Sequence, residues 1–300
     1  MGIKNLTKLL KTKYSAVYEK QPLSKWENKK IAVDASIYIY RFKSCAIKDA
    51  CFLHPFKFDY DKKEWNEPSD ELISTCYKKR FENFLSIFKK FNITPTFVFD
   101  GKSPEEKKET KVKRREKVQT MIDQKNKFKT QYEKLLDYKN TMPFCVSISL
   151  SDFEILYTLL ETEKVNFFKA QGEAEHLCAY LCKSNQVDAV VSTDTDLLAY
   201  GCPIIWNNLV IHLGSWMVEM IRFDKVLEEM NITEEQFLSL CIMCGTDFNK
   251  NVKNFGPSKC LKLIQDLKDF NSIKTKYPIF DSLCFEKTYE IMKKVPQIQS

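Results

Sequence analysis

The sequence predicts an α/β fold with a mainly parallel central sheet flanked by helices. Four short apolar runs, at residues 29–36, 94–100, 165–169 and 188–192, have the length and composition of buried strands. Longer stretches with an apolar period near 3.6 separate them and read as amphipathic helices. Strands alternating with helices are the pattern of a parallel sheet covered on both faces.

The elements follow in order. MGIKNLTKLLKTKY at the start reads as a basic amphipathic helix, because it lacks the apolar stretch of a signal peptide. Leu6 stands where a myristoylation motif requires Ser or Thr. KKIAVDAS is the first strand, ending at Asp34. Residues 71–91 carry Leu72, Ile73, Phe81, Phe84, Leu85 and Phe88 on one helical face. TPTFVFD is the second strand, ending at Asp100, and VNFFK the third, with helices at 152–163 and 173–183 around it. DAVVS is the fourth and runs into Thr193-Asp194-Thr195-Asp196; residues 203–206 and 209–213 are expected to add an edge hairpin. Thr233 and Gln236 form a capping-box signature for a helix reaching about Cys244. After the loop GTDFNKNVKNF, Gly256-Pro257 begins a second helix, with Pro at a favoured first position.

Composition sets the limits. The chain has 300 residues, 44% hydrophobic and 29% charged, with only 7 Gly and 10 Pro, which suits a packed domain and not a low-complexity chain. No stretch approaches the roughly 20 apolar residues of a membrane span. Eleven cysteines without a secretory signal point to reduced thiols in a nuclear or cytoplasmic protein. Cys241 and Cys244 form a lone CxxC in an apolar run, and without two further ligands they read as core thiols and not as a zinc site. The net charge of +7 suggests a polyanionic partner, and residues 102–139, with 13 basic and 7 acidic residues, carry almost all of the excess. No GxxxxGK[ST] phosphate loop is present.

Seven acids stand out by position: Asp34, Asp100, Glu173, Glu175, Asp194, Asp196 and Asp247. Ligands of open α/β sheets bind beyond the carboxyl ends of the strands, where Asp34, Asp100 and Asp194 are expected. Each acid alone has a plainer use: Asp194 or Asp196 as a helix cap, Glu173 as a partner of a helix dipole. As a set they are costly unless paired or bound to cations. Carboxylate oxygens suit Mg²⁺ or Mn²⁺. Two such ions roughly 4 Å apart activate water and stabilise the leaving oxygen in phosphodiester hydrolysis.

With these residues in view, MGIKNL, VDAS, FVFDGKSP, QGEAE, STDTDLLAYG and CGTDF resemble the ordered motifs of the flap endonuclease (XPG-type) nucleases, over residues 1 to about 270. The resemblance implies a PIN-like or resolvase-like nuclease core, two active-site metals and a 5′-flap or other branched DNA substrate. It implies one integrated domain in four regions: 1–101 and 141–232 as nuclease core, 102–140 as a basic helical arch, 233–300 with a DNA-binding helix–two-turn–helix. Asp34, Asp100, Glu173 and Glu175 match the first-metal cluster; Asp194, Asp196 and Asp247 match the second. Lys107 and Arg114, with Lys111 between them, match the arch, whose Lys and Arg hold the scissile phosphate; a solvated basic face is the plainer alternative. Tyr40 matches an aromatic that stacks on a substrate base, against the alternative of a core tyrosine. Gly2 matches an N-terminus packed near the site.

Gly256 and Lys259 match the helix–two-turn–helix, which in the family grips duplex backbone through loop amides and a K⁺ ion. The family's Gly-x-Gly is here Asn254-Phe255-Gly256, and Asn tolerates the left-handed backbone that such a turn needs. Residues 51–68, rich in aromatics (Phe52, Phe56, Phe58, Tyr60, Trp65), form an insertion where the family places its junction wedge. It either reshapes junction recognition or packs on itself. No sliding-clamp motif is seen near Ser300, and a monomer is expected. Abundant Lys, Asn, Ile and Phe suit an AT-rich genome, of a microbial eukaryote or a large DNA virus, which leaves nucleus and cytoplasm both open. A 5′→3′ exonuclease shares the same acids and is the near alternative. A nuclease-inactive DNA-binding scaffold should have lost one or more of them. A related RNA nuclease is disfavoured by the basic arch and helix–two-turn–helix. His176, beside Glu175, is left outside the candidate site.

Overall fold

Seven strands form one mixed sheet in the computed structural model, which describes residues 3–54, 58–59, 64–65, 67–102, 116, 120 and 146–299. Helix α1 (Leu6–Lys13) precedes strands β1 (Tyr18–Pro22) and β2 (Lys30–Asp34). Helix α2 (Ala35–Leu53), the short pair β3 (Phe58–Asp59) and β4 (Glu64–Trp65), and helix α3 (Asp70–Lys90) follow. Next come β5 (Thr94–Phe99), α4 (Leu150–Thr162), β6 (Asn166–Lys169), α5 (Ala174–Lys183), β7 (Ala189–Val191) and α6 (Asp196–Ala199). Strands β8 (Ile204–His212) and β9 (Ser215–Arg222) lead to helices α7 (Phe223–Met230), α8 (Glu234–Cys244), α9 (Pro257–Leu267), α10 (Phe270–Lys276) and α11 (Phe285–Lys293).

The chain resolves into two units. The first comprises Met1–Asp34, Phe91–Lys107 and Phe167–Ser300; the second comprises Ala35–Lys90 and Lys108–Asn166. In the first unit the sheet order is β1-β9-β8-β7-β2-β5-β6. Strand β2 runs parallel to β5 and β7, and β7 parallel to β8, with Val33 opposite Phe97 and Val191. The middles of β2, β5 and β7 are apolar because both faces are covered: Ile31, Ala32, Val33, Val98 and Val190 are fully buried. Leu6 and Leu10 of α1 and Phe237, Leu240 and Ile242 of α8 complete the core. Each such large side chain contributes about 1.5–3 kcal/mol by leaving water. Cys241 and Cys244 are buried among them as core thiols.

The expected edge hairpin is corrected. Residues 204–212 form one strand, with a register shift between Trp206 and Asn208, so the Asn207-Asn208 pair is absorbed as a bulge and makes no turn. The turn lies at Leu213-Gly214, both at positive φ, between the paired residues His212 and Ser215. The second arm is β9, whose other edge pairs antiparallel with β1.

In the second unit α3 packs against α2 and α4. Tyr38 stacks on Phe84 with ring centroids 4.5 Å apart, and Phe42 meets Phe81 edge-on at 4.8 Å. Lys43 Nζ lies 2.5 Å from Asp152 Oδ1, which is almost fully buried. Asp152 also closes a capping box with Ser149 at the start of α4. Within the aromatic insertion, Phe58 pairs with Trp65 across β3 and β4. No described helix is long and apolar enough to cross a membrane.

The C-terminal helices follow the sequence closely. Thr233 accepts from the Gln236 amide and Gln236 accepts from the Thr233 amide, closing the expected box. Pro257 opens α9. Asn254 sits in the left-handed region at φ 68°, the conformation expected of it from the sequence.

Candidate metal centre

Three neighbouring strands end on one side of the sheet, and an acid stands at or just after each end. Asp34 is the last residue of β2, Asp100 follows β5, and Asp194 lies three residues beyond β7. Asp196 opens α6, Glu173 is the N-cap of α5, and Glu175 lies in its first turn. Parallel pairing aligns these ends, and the short turns after them bring the acids forward.

Hydrogen bonds hold each turn. Ser192 Oγ donates to Asp34 Oδ2 at 3.1 Å and accepts from the Asp194 amide at 3.1 Å. The Asp196 amide donates to Asp194 Oδ1 at 3.1 Å. Asp100 Oδ1 accepts from the Ala174 amide at 2.8 Å, so a strand-end carboxylate serves the open N-terminus of α5. The loop before that helix is pinned to the end of β5: the Gly101 amide donates to Gly172 O at 2.8 Å and the Ala170 amide to Phe99 O at 2.9 Å. From the start of the chain, the Ile3 amide donates to Thr195 Oγ1 at 3.1 Å and the Lys4 amide to Gly245 O at 3.2 Å.

The result is a convergence. Carboxylate oxygens of Glu175, Asp194 and Asp196 all lie within 4.8 Å of one another. The two aspartates are buried and Glu175 is half-buried. Two uncharged side chains report on the others. Burial pushes the Cys178 thiol well up, and the charges of Asp34, Glu175 and Asp100 push it further. Burial likewise raises Tyr200, reinforced by Glu175, Glu173, Asp196 and Asp194. The charges of six of the seven acids therefore act on Cys178 or Tyr200, with Glu175 acting on both. The oxygen cluster joins Glu175 of one expected set to Asp194 and Asp196 of the other. Asp34 is tied to Asp194 through Ser192, Asp100 bonds the amide next to the N-cap Glu173, and Asp247 lies half-buried in the loop after Gly245, outside the cluster.

An all-oxygen, all-anionic donor set suits hard divalent cations, and the nearby soft or nitrogen donors are occupied otherwise. Cys178 is fully buried. His176 stacks on Tyr200 at 4.2 Å; burial lowers its pKa to about 4, so it is neutral.

The remaining expected residues are spread more widely. Tyr40 is on α2 and about half exposed, not a core tyrosine. Gly256 is the N-cap of α9, and Lys259 Nζ donates to Asn254 O at 3.0 Å while lying over the Phe255 ring at 5.9 Å. Lys107, Lys111, Arg114 and Gly2 lie outside the described residues. Sequence reasoning missed Ser192, Thr195, Tyr200 and Cys178. The first three are the neutral residues of the STDTDLLAYG motif, and their alternation with the acids was the available signal.

Comparison with known proteins agrees with this geometry. The XPG N-terminal domain is matched over residues 1–121 and the XPG I-region over residues 164–247. Flap endonuclease 1-A of Sorghum bicolor is 31% identical over 306 residues, spanning 98% of this chain and 75% of that protein. The probable RAD2-like endonuclease 369L of Invertebrate iridescent virus 6 is 28% identical, spanning 91% of this chain and 73% of that protein. The catalytic core of Rad2 in complex with a DNA substrate superposes with a TM-score of 0.65 at 22% identity, covering 98% of this chain and 76% of that one.

Proposed function

The chain belongs to the XPG-type flap endonuclease family, and from that premise we propose that it is a Mg²⁺-dependent structure-specific 5′ nuclease. It hydrolyses phosphodiester bonds at 5′-flap and other branched DNA junctions, in replication, repair or recombination. The observation that carries this reading is the convergence of Glu175, Asp194 and Asp196 at the carboxyl edge of a parallel sheet.

The acids hold two Mg²⁺ or Mn²⁺ ions: Glu175, Asp194 and Asp196 are the nucleus of the site, with Asp34, Asp100, Glu173 and Asp247 completing it directly or through water. When bound, the ions supply a water activated at neutral pH and neutralise charge on the scissile phosphate. Around them the chain orients and holds. Ser192 fixes the Asp34 carboxylate and the Asp194 amide; Asp100 anchors the helix that carries Glu175. Lys107 and Arg114, with Lys111, hold the phosphate, Arg as a planar bidentate donor and Lys as a point charge. Tyr40, exposed on α2, stacks on a base. Gly256 and Lys259 belong to the helix–two-turn–helix that grips the duplex, with K⁺ as a further ligand there. The protein acts as an intracellular monomer, in nucleus or cytoplasm.

The test is cleavage of a labelled 5′-flap duplex with Mg²⁺, beside EDTA and Asp194→Ala. Cutting within about one nucleotide of the junction, abolished in both controls, is the expected result. Degradation of nicked duplex without cutting of the flap would move the assignment to a 5′→3′ exonuclease built on the same acids.

A further inference from the structure

The loop that carries Glu173 and Glu175 is gripped from two sides, and only one of them belongs to the sheet core. On the inner side the end of β5 holds it through Phe99 and Gly101. On the outer side lies the segment that follows α11. The Gln171 amide donates to Gln297 O at 2.9 Å and the Gln299 amide donates to Lys169 O at 2.8 Å. Ala170 and Ile298 are thereby paired as an antiparallel bridge. One turn further on, His176 stacks on Tyr200 and lines one cavity with Lys294, Val295 and Pro296 of the strap. The strap therefore bonds the acid loop at Lys169–Gln171, before the acids, and faces His176 after them.

This arrangement has a physical purpose. Strand β6 is the edge of the sheet, and an unpaired edge leading into irregular backbone frays more easily than an inner strand. Glu173 and Glu175 lie two to four residues beyond Gln171, in that irregular stretch and the first turn of α5. Clamping that stretch fixes where their carboxylates stand relative to Asp194 and Asp196, which are held independently: Ser192 Oγ accepts from the Asp194 amide, and Asp194 Oδ1 from the Asp196 amide.

We propose that the strap Lys294–Gln299, through the Gln299 amide and the Gln297 carbonyl, is a positioning element that sets the metal affinity of the Glu173–Glu175 half of the site. It rests on the metal reading above. The strap acts by keeping the liganding loop in place, as partners behind a metal ligand do in general.

Gln299→Pro removes the amide that bonds Lys169 O and leaves every acid intact. Gln299→Ala keeps that amide. Mn²⁺ binding to the DNA-free protein is measured by calorimetry for the parent, both variants and Asp194→Ala, and flap cleavage is followed against Mg²⁺ concentration. The expected result is Mn²⁺ affinity about tenfold weaker in Gln299→Pro, at the low end for loss of a partner behind a metal ligand, and parental in Gln299→Ala. The cleavage rate of Gln299→Pro should recover at high Mg²⁺, with KM for DNA unchanged. Equal Mn²⁺ affinity in all three, or equal loss in both Gln299 variants, overturns the proposal while leaving the nuclease assignment intact. A parent that binds Mn²⁺ no better than Asp194→Ala overturns both.

Discussion

Ser192 Oγ reaches Asp34 Oδ2 at 3.1 Å, and this one hydroxyl ties the end of β7 to the end of β2. The same oxygen accepts the Asp194 amide, so it links two acids that are 160 residues apart in the chain. Ser192→Ala removes both bonds in a fully buried place. It should cost about 1–3 kcal/mol of stability. Cleavage should fall about 10–100-fold at limiting Mg²⁺. Thermal melting and a Mg²⁺ titration of the cleavage rate check both. Parental behaviour in each would mean that Asp34 needs no such support.

Three carboxylates within 4.8 Å repel one another when no cation is bound. Asp196→Asn should therefore abolish cleavage and yet raise metal-free stability, by about 1 kcal/mol or more at an effective dielectric near 20. Adding Mg²⁺ at about 100 times its Kd should stabilise the parent by about 2.7 kcal/mol and leave the variant unmoved. Melting curves with EDTA and with Mg²⁺ decide it; a variant less stable than the parent in EDTA contradicts the repulsion argument.

The Lys43–Asp152 pair predicts a pH signature in the second unit. Burial pushes the Asp152 carboxyl up, but the Lys43 ammonium and the Ser149 amide and hydroxyl outweigh it and hold it below 3.8. A carboxyl depressed in the folded state contributes its full stability above the unfolded value and loses it as pH falls through the folded one. Lys43→Met strands the buried carboxylate and should cost about 3 kcal/mol at pH 7. The difference from the parent should shrink as pH falls, because the stranded carboxyl of the variant takes up a proton before the paired Asp152 of the parent does. Denaturant titrations at pH 7 and pH 3 measure it.

Gly101 has no room for a side chain, for a Cβ there would stand 1.8 Å from Ala170 O. Gly101→Ala must push the 170–173 loop off the end of β5. A stability loss of about 2 kcal/mol or more is expected, together with weakened metal binding, because Glu173 rides on that loop. A melting temperature and Mn²⁺ affinity equal to the parent's would show that the loop yields freely.

The inner strands were readable because they are buried on both faces and so carry an apolar run, Ile31–Val33 in β2 and Phe97–Phe99 in β5. That same run made Asp34 and Asp100 conspicuous. The caps at Thr233 and Pro257 were readable because they are local chemistry. Strand β1 was not: YEKQP is polar and ends in proline, and it forms a strand only because β9 offers an edge. The Asn207-Asn208 pair looked like a turn and is a bulge, since pairing with β9 outweighs local preference. Within the site, the acids could be named from their motifs, but which oxygens converge depends on Ser192, Ala174 and the strap at Gln297–Gln299, contacts that no local pattern encodes.

The bond from the Ile3 amide to Thr195 Oγ1 has a practical side. Thr195 stands between Asp194 and Asp196, so the backbone just ahead of α1 is fastened to the stretch that carries both acids. Thr195→Val would cut that fastening while leaving every acid in place.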